Sequence, residues 1–400
     1  MRRTALLFLS LLISVATAQL ADGDIRGFVL DLAEGIGIRA AGTAGERAAA
    51  DYLEQRFREF GYQTELQPFP FTYFQDLGSA YQVGQGPEVN ASTLGFSPPA
   101  ELSAPLVFAN LGRIQDLRGR EVQGRIVLLR RGEIPFLEKA QNAARAGAVA
   151  IMVFNNRPGG FDGTYGQPGP LPGLALSRSE GEDLLDRLQA GEVLQATLSI
   201  NTTLEERTSQ NVIARWPTGT AHLVVGGHYD SVAQGPGAND NASGTAVVLA
   251  LAQAFAGTPV AEQTIFVAFG AEEEGLLGSQ AFVSALPGGE PGDITAMIDI
   301  DQIAVGNTLF VGGTPSLVNL TREVFGNHEG MQYLTELRAA SDHVPFQNAG
   351  IPVLVLNRQS DPNNHTALDT VIEPGTLSLA AELVAAVLRE LAGEGNTVEL

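Results

Sequence analysis

The sequence predicts an α/β protein whose central sheet is mostly parallel, carries helices on both faces and is accompanied by a β-rich insert. Two observations predict this class. From Asn211 onward, apolar runs such as HLVVGG, TIFVAFG and ITAMIDI alternate with helical patterns such as SGTAVVLALAQAFA. Between Gly84 and Ile200 the pattern changes to short β-rich runs such as GRIVLLRRG, with helical segments among them. A chain of 400 residues exceeds what one hydrophobic core usually serves, so two domains are expected.

The start of the chain has the pattern of an export signal. Two arginines precede an apolar run from Ala5 to Val15, and small residues follow it. The run is shorter than the roughly 20 residues that a membrane span requires. We therefore expect residues 1–18 to be a signal peptide, and the protein to be secreted, periplasmic or extracellular, without a stable membrane span.

After the signal, the chain divides into three segments. Residues 19–83 and 201–400 are expected to form the α/β domain, and residues 84–200 the insert. In the first segment Thr43 and Glu46 have the spacing of a capping box at the start of a helix. The sequence therefore predicts a helix that begins after Thr43.

Composition narrows the chemistry and the partners. The chain has no cysteine, which excludes disulfides, cysteine catalysis and thiolate metal sites. With 24 basic and 45 acidic side chains, its formal charge of −21 argues against nucleic acid as a partner. Because the chain has no cysteine, any metal ion has to be held by His, Asp or Glu side chains.

Candidate metal ligands follow four of the predicted strands. LVVGG leads into His228, TIFVAFG is followed by Glu272 and Glu273, ITAMIDI leads into Asp301, and IPVLVL precedes the loop with His365. In open α/β sheets, ligands bind beyond the carboxyl ends of the strands. Each residue alone is compatible with an ordinary turn, but four strand ends together indicate a metal site.

The spacing around these residues adds supporting groups. Asp230 stands two residues after His228, where it can accept the second N–H of the imidazole. Asp240 lies among small residues in GANDNASG, which allows the backbone to approach an ion closely. Asp369 is a candidate to orient the last histidine, His365.

Two pairs of acids need to be assigned to separate roles. Glu272 and Glu273 are adjacent carboxylates that can have different roles. One of them can bind a metal ion while the other takes a proton from water. Asp299 and Asp301 share a face of their strand by alternation, so the pattern alone leaves both open as ligands. The positive charge of two zinc ions would be balanced by the carboxylates of Asp240, Glu273 and Asp301 together with one hydroxide. A partly buried site tolerates such a neutral set of charges.

As an ordered set these segments resemble a known family. GGHYDS, GANDNASG, AEEEG, SDHVPF and HTALDT are similar to the successive motifs of metallopeptidase family 28, the di-zinc aminopeptidases of clan MH. The resemblance covers the chain beyond the signal and implies a zinc-peptidase, phosphorylase/hydrolase-like fold. GRIVLLRRGEIPFLEKAQNAARAGAVAIMVFNN in the insert resembles a protease-associated (PA) domain.

The resemblance implies two Zn²⁺ ions held by five side chains. Asp240 would bridge the two ions. His228 and Asp301 would complete one site, and Glu273 and His365 the other.

The same resemblance implies the remaining roles. Glu272 would be the general base, and SDHVPF would place Asp342 and His343 near the substrate, with His343 as a hydrogen-bonding catalytic residue. Two positions depart from the family pattern. Asn364 stands where many relatives carry a tyrosine that stabilises the oxyanion, and Asp299 stands where an asparagine is frequent.

The implied activity is hydrolysis of N-terminal peptide bonds in peptides or proteins, by a water activated between two metal ions. Alternatives with the same fold are a carboxypeptidase or dipeptidase, a one-zinc glutaminyl cyclase and a non-catalytic protein-binding ectodomain. The complete set of candidate ligands argues against the last two. A carboxypeptidase would need a cation for the substrate carboxylate, for which Arg338 and Arg358 are candidates.

Overall fold

The computed structural model describes residues 21–286, 292, 294–337, 340–358 and 361–394. The predicted signal segment, residues 1–18, lies outside the described residues. The chain divides into two compact units, one formed by Met1–Phe69 with Thr208–Leu400 and the other by Pro70–Arg207. In the part of the chain that the structure describes, no helix combines the length and apolar character needed to cross a bilayer.

The strands and helices are numbered along the chain. The strands are β1 Gln63–Asp76, β2 Ser79–Val83, β3 Glu88–Thr93, β4 Ala100–Phe108, β5 Ile126–Arg130, β6 Ala150–Phe154, β7 Gly173–Leu176, β8 Gln195–Ile200, β9 Thr202–Arg215, β10 Leu223–His228, β11 Thr264–Phe269, β12 Ala296–Ile300, β13 Leu309–Gly313, β14 Met331–Tyr333 and β15 Val353–Arg358. The helices are α1 Asp22–Leu30, α2 Ala44–Glu59, α3 Ile114–Leu117, α4 Phe136–Arg145, α5 Arg178–Gln189, α6 Ser243–Phe255, α7 Pro259–Gln263, α8 Leu277–Ser284, α9 Pro315–Phe325, α10 His343–Asn348 and α11 Thr376–Leu391.

The first unit is built on an eight-stranded sheet in the order β1-β9-β11-β10-β12-β15-β13-β14. Its four middle strands, β11, β10, β12 and β15, are parallel to one another. On either side of these four, β9 and β13 pair antiparallel with β11 and β15. The α/β class predicted from the alternation of apolar runs and helices is therefore confirmed.

Side chains of the middle strands alternate between two apolar layers. Val225 and Phe266 belong to a core cluster that also contains buried residues of α1, α2, α6, α9 and α11. Their neighbours Val224 and Val267 belong to a second cluster, with Phe282 of α8 and Phe346 of α10. Since successive strand residues point to opposite faces, helices cover the sheet on both sides.

The second unit is a closed barrel in the order β2-β3-β7-β6-β5-β4-β8. Strands β4 to β7 run parallel, whereas β8 pairs antiparallel with β4 and β2. One apolar cluster includes residues of α5, and another includes residues of α4. The sequence places the insert at 84–200, and the compact unit extends beyond it because β1 and β9 continue into this unit.

The predicted cap of α2 is formed with different partners. Thr43 is the N-cap, and its side chain accepts a hydrogen bond from the amide of Glu46. The Glu46 carboxylate does not return to Thr43. It accepts instead from the amide of Gly42 at 2.6 Å and from the hydroxyl of Ser209. Glu46 thus connects the start of α2 to β9.

Candidate active site

The predicted ligands lie at one edge of the sheet. His228 is the last residue of β10, Asp301 follows β12 directly, and Glu272 and Glu273 lie just beyond β11. His365 lies beyond β15. Because these four strands are adjacent and parallel, their carboxyl ends meet at the same edge.

His228, Asp240 and Asp301 form the first donor group. The Nε2 atom of His228 lies 3.1 Å from Asp240 Oδ1 and 3.4 Å from Asp301 Oδ1. His228 is 1% exposed and Asp240 3% exposed. Three donor atoms thus converge in a site from which water is largely excluded.

His365, Asp240 and Glu273 form the second donor group. The Nε2 atom of His365 lies 3.1 Å from Asp240 Oδ2 and 3.2 Å from Glu273 Oε2. The two oxygens of Asp240 are therefore divided between the two groups, one facing each histidine. Hydrogen bonds from His365 to Asp240 and Glu273 raise the pKa of the imidazole to about 10.

Glu272 lies beside these groups and, with His228 and Glu273, forms a third set of close donor atoms. Its Oε2 atom is 4.0 Å from His228 Nε2, and its side chain is 13% exposed. Burial is the main cause that raises the pKa of this carboxyl to about 10. Glu272 is therefore close enough to exchange a proton with a molecule held at the first donor group.

Asp230 connects β10 to the glutamate loop. Its Oδ1 atom lies 3.5 Å from His228 Nδ1, on the side of the ring away from the donor group. The same carboxylate accepts hydrogen bonds from the amides of Glu272 at 3.1 Å and Glu273 at 3.3 Å. The structure thus places Asp230 beside His228, and also gives it a contact to both glutamates that sequence reasoning missed.

Asp369 contacts a different element from the one predicted. Its carboxylate accepts hydrogen bonds from the amides of Asn239 at 2.8 Å and Asp240 at 3.1 Å. The sequence predicts that Asp369 orients His365. In the structure Asp369 binds the segment Ala238–Ala242 instead, because the turn after His365 directs its side chain there. Asp369 therefore holds the backbone of Asp240.

Gln302 is a site residue that sequence reasoning missed. Its side-chain amide donates to Asp240 Oδ2 at 3.0 Å, and its backbone amide donates to Asn241 Oδ1 at 3.2 Å. Asn241 also donates to the carbonyl of Ile300. The signal available in the sequence was the position of Gln302 directly after Asp301.

Close backbone approach brings Asp240 to the end of β12. A Cβ atom added at Gly244, near the start of α6, would collide with the carbonyl oxygen of Ile300. Glycine at this position lets α6 pack directly against β12. A larger residue at Gly244 would therefore push the start of α6, which follows Asp240, away from the end of β12.

The structure separates Asp299 from Asp301. Asp299 Oδ2 lies 2.9 Å from His343 Nδ1 and also accepts the backbone amide of His343 at 3.1 Å. Asp299 thus orients His343, whereas Asp301 belongs to the first donor group. Asp342 is fully buried and presents no surface to a substrate, and burial raises its pKa well above the ordinary value.

Arg358 is committed to the protein's own backbone. It is 7% exposed, and its guanidinium donates to the carbonyls of Gly306 at 2.8 Å and Thr376 at 3.1 Å. Arg338 lies outside the described residues. Of the two candidate cations for a substrate carboxylate, Arg358 thus already binds backbone carbonyls.

The two donor groups fit metal ions. Within each group the donor atoms lie within 4.8 Å of one another. The buried atoms Glu273 Oε1 and Asp301 Oδ1 have no hydrogen-bond partner among the described residues. Carboxylates gathered in a buried site repel one another unless cations lie between them. A set of His, Asp and Glu donors is also one that zinc accepts.

The fold and the site place this protein in the class of metal-dependent hydrolases. Two donor groups share one carboxylate at the carboxyl ends of a parallel sheet, and a further carboxylate lies beside them. Metal ions held by donors of this kind can activate water for hydrolysis.

Comparison with known proteins specifies the family. Residues 211–388 match Peptidase family M28, and residues 89–184 match the PA domain. Aminopeptidase YwaD of Bacillus subtilis (strain 168) is 32% identical, over 90% of this chain and 83% of its own length. The chain belongs to peptidase family M28 and is a metallopeptidase with a PA domain.

Solved structures show the same similarity. An aminopeptidase from Aneurinibacillus sp. strain AM-1 matches with a TM-score of 0.81 and 30% identity, covering 94% of this chain and 95% of that chain. BSAP, a zinc aminopeptidase from Bacillus subtilis, matches with a TM-score of 0.67 and 28% identity, covering 93% of this chain and 95% of that chain.

Proposed function

We propose that this protein is an aminopeptidase that holds two zinc ions and removes residues from the N-terminus of peptides. The observation that carries the proposal is the division of Asp240 between two donor groups, with Oδ1 facing His228 and Oδ2 facing His365. A carboxylate divided in this way would hold two ions. Asp301 would complete one site and Glu273 the other.

The chain's own residues have distinct tasks in the proposed reaction. Zinc, when bound, lowers the pKa of a water molecule and polarises the peptide carbonyl. Beside bound cations Glu272 would be ionised, because nearby positive charge lowers the pKa of a carboxyl. In that state its carboxylate accepts the proton of the attacking water and returns it to the nitrogen of the leaving amine. Asp230 keeps Glu272 in place through the backbone amide, and it orients His228 from the opposite side of the ring.

His343 is the proposed hydrogen-bonding group for the substrate. Asp299 fixes the orientation of its ring through Nδ1, so the remaining nitrogen, Nε2, is the one that can contact a substrate. Asn364 stands where many relatives carry tyrosine. In its doubly protonated form, with Nδ1 bonded to Asp299, His343 would donate from Nε2 to the carbonyl oxygen and take over part of the stabilisation that a tyrosine would provide.

The proposal of an aminopeptidase rests on the two aminopeptidases of similar structure and on the state of Arg358. A carboxypeptidase would need a cation for the substrate carboxylate, and of the two candidates Arg358 is buried against backbone carbonyls, while Arg338 lies outside the described residues. We therefore expect dipeptides with a free amino group and a blocked carboxyl group to be cleaved. Cleavage of amino-blocked dipeptides at equal or higher rate would contradict the proposal and favour a carboxypeptidase.

The number of ions and the export of the protein are tested separately. Elemental analysis of the purified protein is expected to give two zinc ions per chain, and one ion per chain would contradict the bridging role of Asp240. Export through residues 1–18 predicts that protein recovered from the culture medium or periplasm begins near residue 19. An intact residue 1 in that fraction would contradict this part of the proposal.

A further inference from the structure

Arg39 is a fully buried arginine whose guanidinium donates to backbone carbonyls. It is 0% exposed. Its nitrogens donate to Tyr229 O at 2.7 Å, Pro236 O at 2.6 Å and Gly237 O at 3.1 Å. It also donates to Gly37 O at 2.9 Å. Among the described residues, no carboxylate lies within ion-pair distance of Arg39, so these carbonyls are its principal partners.

Three of the five carbonyls that the Arg39 guanidinium contacts belong to one loop, and the other two, those of Leu32 and Gly37, lie near Arg39 in sequence. Tyr229, Pro236 and Gly237 lie between His228, at the end of β10, and Asp240. This loop therefore connects the histidine of the first donor group to the carboxylate shared by both groups. The guanidinium contacts both ends of the loop at once.

The backbone of Arg39 holds the middle of the same loop. Its amide donates to the hydroxyl of Ser231 at 3.0 Å, and its carbonyl accepts the amide of Ser231 at 3.4 Å. The Ser231 hydroxyl lies 3.1 Å from the carbonyl of Gly235. Residues 229–237 form no strand or helix, so these contacts take the place of regular backbone hydrogen bonds.

We infer that Arg39 is a positioning residue that sets the distance between His228 and Asp240 by bracing the loop between them. The inference rests on the proposed set of metal ligands. It assigns a role in metal binding to Arg39, which lies outside the motifs that contain those ligands. An arginine is suited to this task because its planar guanidinium offers five N–H donors in fixed directions. A lysine keeps the positive charge and offers only three donors from a single nitrogen.

The experiment measures metal affinity, so that it does not depend on the substrate. Zn²⁺ and Co²⁺ dissociation constants are determined by competition with a chelator for the wild-type protein and for Arg39→Lys, with the visible spectrum of the Co²⁺ form as a report on geometry. We expect Arg39→Lys to raise at least one dissociation constant by about tenfold or more, the range seen when supporting groups of ligands are removed. The Co²⁺ spectrum should change with it.

Arg358→Lys is the matched control. Arg358 is also buried, in the same unit, and also donates to two backbone carbonyls, but neither belongs to the loop between His228 and Asp240. We expect Arg358→Lys to lower thermal stability and to leave both dissociation constants within about twofold of wild type. If the two variants lose stability and metal affinity equally, Arg39 is merely structural and the inference is wrong.

A milder variant covers the case in which Arg39→Lys does not fold. Ser231→Ala removes only the hydroxyl contacts of the loop. Weaker metal binding with near-wild-type stability of the metal-stripped protein supports the inference, and unchanged metal binding overturns it. If the wild-type protein binds neither Zn²⁺ nor Co²⁺, the proposed function fails first. If it binds both ions but cleaves no amino-free dipeptide, only the proposed activity fails.

Discussion

The two adjacent glutamates provide the sharpest test of the site. Glu272 lies 4.0 Å from His228 Nε2, whereas Glu273 lies 3.2 Å from His365 Nε2 and belongs to the second donor group. Glu272→Gln keeps the size of the side chain and removes its ability to accept a proton. We expect kcat to fall by about 10²- to 10⁴-fold, or roughly 3 to 5 kcal/mol in activation free energy, with little change in KM. Metal content should stay at the wild-type level.

The matched variant Glu273→Gln should behave differently. It removes an anionic donor from the group of Asp240 and His365, so metal content should fall together with activity. The assay combines initial rates on an amino-free chromogenic substrate with elemental analysis of both purified variants. Full metal content in Glu273→Gln with metal loss in Glu272→Gln would reverse the two roles. Full activity and full metal content in both would remove the pair from the site.

Three further predictions concern the surroundings of the donor groups. Removal of the metal by a chelator should abolish activity and lower Tm together, because the buried carboxylates then repel one another. An unchanged Tm, measured by calorimetry, would refute this. Asp301→Asn should lower metal content, as elemental analysis will show. Asp299→Ala removes the acceptor of His343 Nδ1, so kinetics should show kcat lower by about tenfold or more at full metal content. Gln302→Leu should weaken metal binding by about tenfold or more in chelator competition, and wild-type affinity would show that its bond to Asp240 is dispensable.

Much of the site was predictable because its positions follow from strand order. An apolar run that ends in His or an acid can be recognised in the sequence, and parallel pairing brings such ends together. His228, Glu273 and Asp301 are of this kind. Asp240 was also predictable, since the glycines and small residues around it allow close packing. In these cases the local sequence marks each residue, and parallel strand pairing brings the residues together although they are far apart in the chain.

Other contacts were not predictable because they depend on distant parts of the chain. Asp299 and Asp301 share a face of β12, and only the placement of α10 brings His343 to Asp299. Asp369 was paired with His365 because the two are close in sequence, but it binds the backbone at Asp240, about 130 residues away. Arg39 reaches its loop across 190 residues or more. No local pattern reveals a contact of that separation.

The division of the chain has a consequence for synthesis. The PA unit, Pro70–Arg207, is continuous in sequence, so all of its residues are synthesised before those of β10. The peptidase unit is completed only late, because its donor groups require residues from His228 to His365 of a 400-residue chain. Domains generally fold as units and in order of synthesis. A nascent chain therefore contains every residue of its PA unit well before it contains every residue of the two donor groups.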